Sequence, residues 1–260
     1  MMTTKWVSSR LAVILVGLAA VGCGDGRTPL VVYSTHGIEL LQLAEATFEA
    51  ANPEIDVRWL DMGSQDVLDR VRSERANPQA DVWFGGPNYI LQRAASESLL
   101  VAYRPTWAAH VLPRSRGPGD FYFAAYETPA VIMYNTDLLT AATAPQDWDD
   151  LLDPRWRGKV VIRDPLASGT MRSVFGLIVQ NSLRSYGVPD SGYAWLRRLD
   201  AQTREYTLNP TMLYQRLIRQ EGSVTMWALP DVLVDASHGD PLGYVLPASG
   251  SPVIQDAIAL

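Results

Sequence analysis

The feature that most constrains the fold is a regular alternation of strand-like and helix-like segments near the start of the chain. It consists of three strand-like runs separated by two amphipathic helical patterns, at residues 30–34, 37–51, 55–59, 64–71 and 81–84. Parallel strands need long crossover connections, and these are usually helices. The alternation therefore predicts β-α-β units and a parallel sheet covered by helices.

A second group of elements after residue 120 has its own hydrophobic complement. Strand-like runs and helical patterns alternate there, at residues 121–125, 130–134, 147–152, 159–163, 168–178, 190–200, 210–220, 224–227, 243–246 and 253–260. We therefore expect two α/β lobes: lobe 1 over residues 29–125, with residues 247–260 returning to it, and lobe 2 over residues 126–246. Because the last apolar run has no polar turn after it, we also expect the chain to be truncated at its C-terminus.

The N-terminus has the pattern of a secretory signal peptide. Lys5 and Arg10 precede an apolar run over residues 11–21, which is too short to span a bilayer comfortably. The run ends in Ala20-Val21-Gly22-Cys23, which resembles the lipobox of bacterial lipoproteins. Cys23 is the only cysteine in the chain. We therefore predict a signal peptide over residues 1–22, lipidation of Cys23, and a tether over residues 23–28.

Charge and motifs exclude several classes of function. Removal of Lys5 and Arg10 with the signal peptide leaves 20 of the 22 basic residues against 28 acidic ones, a net charge of −8. Nucleic-acid binding proteins show basic surfaces instead. A Gly-x-Ser-x-Gly elbow and a His-Glu-x-x-His zinc motif are both absent from the sequence, so a secreted hydrolase is unsupported. We expect no enzymatic activity, no cofactor, and contact with the membrane only through the lipid anchor.

Ligands of open parallel sheets bind at the carboxyl ends of the strands. Three loops follow the first three predicted strands at that edge. They contain six candidate ligand-binding residues: Ser34, Thr35, His36, Ser64, Gly86 and Asn88.

The sharpest local motif is the segment from Asp164 to Thr170, which leads from a strand into a helix. The first turn of a helix has unpaired N–H donors and a partial positive charge, so it favours an anion. We predict that the amides and hydroxyls of Ser168, Gly169 and Thr170 bind solute, with Arg172 adding a charged contact. The alternative is that Ser168 only caps the helix.

From Leu30 onward, five segments resemble the extracellular solute-binding proteins of ferric-iron and phosphonate-type ABC importers. These are VVYSTHGIELLQLAEATFEAANPEIDV, GSQDVLDRVRSERANPQADVWFGG, AVIMYNTDLL, DWDDLLDPRWRGKVVIRDPLASGT and GYVLPASGSPVIQDAIAL. The resemblance implies a two-lobed, type II periplasmic-binding-protein-like α/β fold, in which each lobe is a mostly parallel sheet flanked by helices. It further implies a monomer that closes on a small solute outside the cytoplasm and is recognised by ABC permease subunits.

Ferric-binding members supply a histidine from the first loop and a carboxylate from the second helix, which makes His36 and Asp66 weak metal candidates. They also present two adjacent tyrosines near residue 230, where this chain has Trp227 and Asp231. The resemblance therefore favours an organic solute over the usual ferric site. Trp227 and Tyr126 are predicted to pack against it and Asp231 to receive an amine, as in an aminophosphonate. The alternative for Trp227 is a place in the core.

Two other functions remain open at this stage. One is ferric binding through a non-standard site, and the other is a sensor module that presents its bound solute to a receptor.

Overall fold

The computed structural model describes residues 26–260. The predicted signal peptide, Cys23 and the start of the tether lie outside the described residues. The predicted alternation in the first half is confirmed, with each strand followed by a helix: β1 (Thr28–Ser34), α1 (Ile38–Ala51), β2 (Ile55–Asp61), α2 (Ser64–Ser73), β3 (Val82–Pro87) and α3 (Asn88–Ser96).

The chain after α3 contributes six further strands and four further α-helices. They are β4 (Phe123–Asn135), β5 (Val160–Arg163), α4 (Gly169–Tyr186), α5 (Asp190–Gln202), β6 (Thr203–Thr207), α6 (Pro210–Ile218), β7 (Val224–Ala228), α7 (Leu229–Ser237), β8 (Leu242–Val245) and β9 (Val253–Ala259). Neither β6 nor α7 was predicted. β6 is a short strand with charged residues at the sheet edge, and α7 begins with a Leu-Pro-Asp sequence that has the composition of a turn.

One continuous path of strands runs in the order β2-β1-β3-β9-β4-β7-β5-β6, with β8 paired to β4. The pairs β1–β2, β1–β3, β5–β6 and β5–β7 are parallel, as predicted. The strands that join the halves are antiparallel to their neighbours, because β4 pairs with β7, β8 and β9, and β9 also pairs with β3. The antiparallel part of the sheet was not predicted.

β4 belongs to both halves of the sheet. The predicted run at residues 130–134 and residues 123–125 of the run predicted at 121–125 are parts of this single strand, since the intervening residues are also extended; residues 121 and 122 lie outside it. Its Phe123–Pro129 part pairs with β9, and its Ala130–Tyr134 part pairs with β7. The lobe boundary between residues 125 and 126 remains a prediction, and the change of pairing partner lies four residues further on.

Each half has a separate hydrophobic core. The first is built around Tyr33, Leu68, Trp83 and Leu91. The second is larger, and its fully buried side chains include Ile132, Met133, Trp148, Leu151, Ile162, Met171, Leu199 and Leu213. The two clusters share no residue, so each half has a hydrophobic core of its own. Among residues 26–260, no helix combines the length and apolar character needed to cross a bilayer.

The amphipathic helix predicted over residues 37–51 is observed as α1, but its apolar residues are only partly buried. Leu41 is buried, whereas Ile38 and Phe48 are 54% and 40% exposed. α1 packs on β2, the outermost strand of the sheet. Because the sheet ends at β2, it covers only part of the apolar side of α1, and the remaining apolar side chains stay exposed.

Candidate functional site

The two halves of the molecule face each other across the carboxyl ends of their parallel strands. Two hydrogen bonds join the start of α2 to the β5–α4 loop: Arg172 Nη1 donates to Gln65 Oε1 at 2.7 Å, and the Gln65 N–H donates to the Ala167 carbonyl at 3.5 Å. The Tyr89 hydroxyl on α3 donates to the Gly169 carbonyl at 3.4 Å. The loops that were predicted to bind solute therefore meet at one junction.

The N-terminus of α4 lies at this junction. Ser168 caps the helix, because its Oγ accepts the Met171 N–H at 3.2 Å. Its own N–H donates to the Asp164 carbonyl at 2.9 Å, so it is not free for solute as was predicted. Within the described part of the chain, the N–H groups of Gly169 and Thr170 donate to no acceptor. The predicted cradle of three amides is thus reduced to two.

Gly169 is in close contact with the opposite half of the molecule. A Cβ atom at this position would lie 2.7 Å from Cγ and Cδ of Pro87 and 2.8 Å from Ser64 Oγ. Glycine is therefore required for the observed approach of the two halves. Ser64 is the first helical residue of α2, and Gly63 takes the N-cap position.

Arg172 is committed to protein acceptors. Besides Gln65, its guanidinium donates to the carbonyl oxygens of Pro165 and Leu166. These bonds use three of its five N–H donors, so Nη1 and Nη2 each keep one further hydrogen. The structure thus assigns Arg172 a role in holding the loop and joining the halves, and its predicted contact with solute stays a prediction.

The first loop forms an aromatic corner. Ser34 Oγ donates to the Phe84 carbonyl at 2.8 Å and accepts the His36 N–H at 3.2 Å. The His36 ring packs edge-on against Phe84, with centroids 4.8 Å apart, and both of its ring nitrogens are within hydrogen-bond reach of the Tyr126 hydroxyl. Burial lowers the pKa of His36 to about 4, so the imidazole is neutral at neutral pH.

Thr35 and Gly86 complete this side of the junction. Gly86 has a φ of +91°, and a Cβ there would lie 3.5 Å from both Thr35 Cγ2 and Ser64 Oγ. The Gly86 N–H is already used, because it donates to Asp256 Oδ1 at 3.0 Å. Asn88 likewise donates to Gln255 Oε1 at 3.0 Å. The Gly86 N–H and one hydrogen of the Asn88 side-chain amide are therefore already used by protein acceptors.

Asp231 lies beside Trp227, as the spacing at the start of α7 requires. Its Oδ2 accepts hydrogen bonds from Trp227 Nε1 and from the Tyr214 hydroxyl, at 2.7 and 2.8 Å. Burial raises the pKa of Asp231, and the two hydrogen bonds act in the opposite direction. Trp227 is only 5% exposed and belongs to the second core, which agrees with the alternative interpretation of that residue. Its indole N–H positions the carboxylate.

Two further carboxylates at the junction were missed. Asp256 in β9 accepts Thr128 Oγ1 at 2.6 Å in addition to Gly86, and burial raises its pKa to about 6. Burial and the charge of Asp231 raise the pKa of Asp61, the last residue of β2. Burial, followed by the charges of Asp256 and Asp231, raises the pKa of Tyr126. An acidic side chain inside the apolar run 253–260 was the signal that could have revealed Asp256.

Arg163, the last residue of β5, was also missed. It is 4% exposed, and its Nη1 donates to the Thr207 carbonyl at 3.1 Å. In the described part of the chain its guanidinium has no carboxylate at ion-pair distance, although the charges of Asp66, Asp164 and Asp61 act on its pKa. A cation that ends a buried strand directly before the Asp164–Thr170 motif was a readable signal.

The metal candidates do not come together. Among residues 26–260, no three His, Cys, Asp or Glu side chains are close enough to hold a metal ion. His36 faces Tyr126, whereas Asp66 lies at the start of α2 next to Gly63.

Two α/β halves, joined by crossing strands and meeting at the carboxyl ends of their parallel strands, define the type II periplasmic-binding-protein fold. The chain belongs to the family of bacterial extracellular solute-binding proteins, whose family model matches residues 77–259. Membership implies a location outside the cytoplasm.

Several known proteins are similar to this chain. A Salmonella paratyphi A protein named "Putative 2-aminoethylphosphonate-binding periplasmic protein" is 33% identical over 74% of this chain and 55% of its own length. An uncharacterized protein of Haemophilus influenzae is 29% identical over 94% of this chain and 71% of its own length. The structure of the periplasmic binding protein AfuA from Actinobacillus pleuropneumoniae, with fructose-6-phosphate bound, superposes with a TM-score of 0.78. It is 26% identical and covers 90% of this chain and 73% of that protein. The chain thus spans about half to three quarters of these proteins.

Proposed function

We propose that this protein is the solute-capturing lipoprotein of an ABC importer, and that its solute is a small anionic or zwitterionic compound of the aminoalkylphosphonate type. The observation that carries the proposal is the α4 N-terminus, where two unpartnered amide N–H groups meet the opposite half of the molecule. Capture is then closure of the two halves around the solute, which completes the site and excludes water.

The proposed site divides into an anion-binding part and an amine-binding part. Gly169 and Thr170 hold the oxyanion through their N–H groups, with the helix terminus adding a favourable field. Asp231 receives the amine, and Tyr126 and His36 form the wall between the two parts. The other predicted residues support this arrangement: Ser34, Thr35, Ser64, Gly86, Asn88, Ser168, Arg172 and Trp227.

Several features support a solute with charges of both signs. The junction contains the carboxylates of Asp231 and Asp256 as well as two amide donors without an acceptor in the described part of the chain, so it offers partners to charges of both signs. The Salmonella relative is named as a putative binding protein for 2-aminoethylphosphonate, and the AfuA structure has fructose-6-phosphate bound. Both compounds carry a phosphorus oxyanion. In this proposal lobe 1 (29–125 with 247–260) and lobe 2 (126–246) move relative to each other. The protein acts as a monomer, and its closed form is recognised by the permease subunits.

Native mass spectrometry of the protein, extracted gently from its own membrane, tests this proposal. We expect a retained solute that contains phosphorus, and a mass increment on Cys23 that corresponds to the lipid anchor. Titration calorimetry then measures the affinity for 2-aminoethylphosphonate, ethylphosphonate, fructose-6-phosphate and Fe(III). Binding of Fe(III) alone would replace the proposal by a ferric-binding function with a non-standard site.

A further inference from the structure

Arg163 is a buried cation at the carboxyl end of β5 that has no close anionic partner among residues 26–260. Only 4% of the residue is exposed, and a single nitrogen, Nη1, has a protein acceptor, the Thr207 carbonyl at 3.1 Å. Its Nε and Nη2 donate to no group in the described part of the chain. Buried arginines are normally paired with carboxylates, because an unpaired charge in the interior is expensive.

The free edge of this guanidinium has a defined shape. Nε and Nη2 lie side by side in one plane, and such an edge forms two parallel hydrogen bonds with two oxygens of a carboxylate, phosphate or phosphonate. A lysine at the same place offers one point charge without this planar edge.

Arg163 and the α4 N-terminus are the two ends of one short loop. The loop is tightened by two bonds to the Asp164 carbonyl, from Ala167 at 3.2 Å and from Ser168 at 2.9 Å. It therefore presents a guanidinium edge at one end and the free N–H groups of Gly169 and Thr170 at the other. A phosphonate has three terminal oxygens and can use both donor sets, whereas a carboxylate has two.

The carboxylates near Arg163 have a separate consequence. Asp164 follows Arg163 directly. Asp66 comes from the opposite half, where a Cβ on Gly63 would lie 2.7 Å from Asp66 Oδ2 and 3.0 Å from the Ala167 carbonyl oxygen of the same loop. Among the described residues neither forms an ion pair with Arg163, although both, together with Asp61, act on it through space. A plain dianion would be repelled by these carboxylates. A solute that also carries an amine would balance them.

We propose that Arg163 is the residue that binds the anionic end of the solute, and that the surrounding carboxylates select a zwitterion over a plain anion. This inference rests on the proposed function and adds to it both a residue and a criterion of selectivity.

The test compares Arg163→Met and Arg163→Lys with a control, Arg198→Met, which removes an exposed arginine from α5. Calorimetry uses 2-aminoethylphosphonate, β-alanine as its carboxylate counterpart, and ethylphosphonate, which lacks the amine. For 2-aminoethylphosphonate we expect Arg163→Met to lower the affinity at least 100-fold and Arg163→Lys about 10-fold, with no change in the control. The wild-type protein is expected to bind 2-aminoethylphosphonate more tightly than either of the other probes.

Thermal unfolding without solute separates a binding role from a structural one. Because the buried charge lacks an anion, we expect Arg163→Met to unfold at the same temperature as the wild-type protein or at a higher one. Wild-type affinity in Arg163→Met would overturn the inference, as would a tighter complex with ethylphosphonate than with 2-aminoethylphosphonate. If the wild-type protein binds none of the probes, the proposed solute class fails. In that case the role of Arg163 is judged from the unfolding temperatures alone. An unfolding temperature of Arg163→Met below that of the wild-type protein would overturn the inference.

Discussion

At the scale of single residues, the junction is defined by charged side chains held away from water. Asp231 is held by Trp227 and Tyr214, Asp256 by Thr128 and Gly86, and Arg163 by the Thr207 carbonyl alone. Each carboxylate has at least two donors, which is the usual condition for burying one. The guanidinium is the exception, and this difference singles out Arg163.

The protonation of Asp256 gives a test of its burial. Its pKa is raised to about 6, against about 3.9 for an unfolded aspartate. Between these values the folded protein holds a proton that the unfolded chain has released. Asp256 therefore stabilises the fold below about pH 4, and the contribution is lost as the pH rises through 6. In the wild-type protein this lowers the free energy of unfolding by up to about 3 kcal/mol between pH 4 and 7, and we expect Asp256→Asn to remove that decrease.

Chemical denaturation at several pH values measures this effect, with Glu54→Gln, an exposed site on the first half, as the control. Burial lowers the pKa of His36 to about 4, so His36 acts in the opposite direction over much of the same range. Because His36 is present in every variant, the difference between wild-type protein and Asp256→Asn isolates Asp256. Equal pH slopes in the two proteins would show that Asp256 is ionised in the fold.

At the scale of secondary-structure elements, α4 connects the anion-binding loop to the second core. Met171 and Val174 bury one face of the helix, while its first turn contacts Ser64 and Pro87 of the other half. The helix therefore has two glycines in opposite surroundings. Gly169 is packed against the other half, whereas a Cβ at Gly176 would meet no atom within 4 Å.

We expect Gly169→Ala to weaken solute binding by roughly 5- to 150-fold, since overpacking typically costs about 1–3 kcal/mol and acts here on the closed form. The matched change Gly176→Ala should leave the affinity unchanged and stabilise the protein by up to about 1 kcal/mol, the usual gain from alanine in a helix. Calorimetry and thermal unfolding of both variants measure the difference. Equal affinities would mean that the closed form does not require the observed approach at Gly169.

The elements that could be predicted from the sequence are those with a strong local pattern. The β-α-β alternation and the Ser168 cap are examples, because periodicity and capping are local properties. β6 and α7 were missed because β6 is a short charged edge strand and α7 starts like a turn. The partners of Asp256 could not be predicted, because Gly86 and Thr128 are 170 and 128 residues away along the chain.

At the scale of the whole molecule, the two halves are joined by covalent crossings and by contacts across the junction. Arg172 and Gln65 make the shortest of these contacts that involve the α4 loop. His238 Nδ1 and Glu39 Oε1, 3.1 Å apart, link the end of α7 to the start of α1. The halves therefore touch at the α4 loop and also between α7 and α1.

A double-mutant cycle on Gln65→Ala and Arg172→Met measures how much their bond favours closure. We expect a coupling of about 0.5–1.5 kcal/mol in the free energy of solute binding, the usual range for one hydrogen bond. X-ray scattering should show a larger mean radius for either variant at subsaturating solute. Arg93→Met is the control, because Arg93 pairs with Glu97 on its own half. Additive effects of the two substitutions would exclude the bond as a closing contact.

The shared strand β4 has a mechanical consequence. Its pairing passes from β9 to β7 between Pro129 and Ala130, and the returning chain crosses alongside it, where Pro252 accepts the Ala130 N–H at 3.0 Å. A hinge at this crossing must turn about a few backbone torsions, and the rings of Pro129 and Pro252 lock one of these each. In the proposed closure we therefore expect one half to rotate against the other about a narrow set of axes, so that each closure brings the same loops into register.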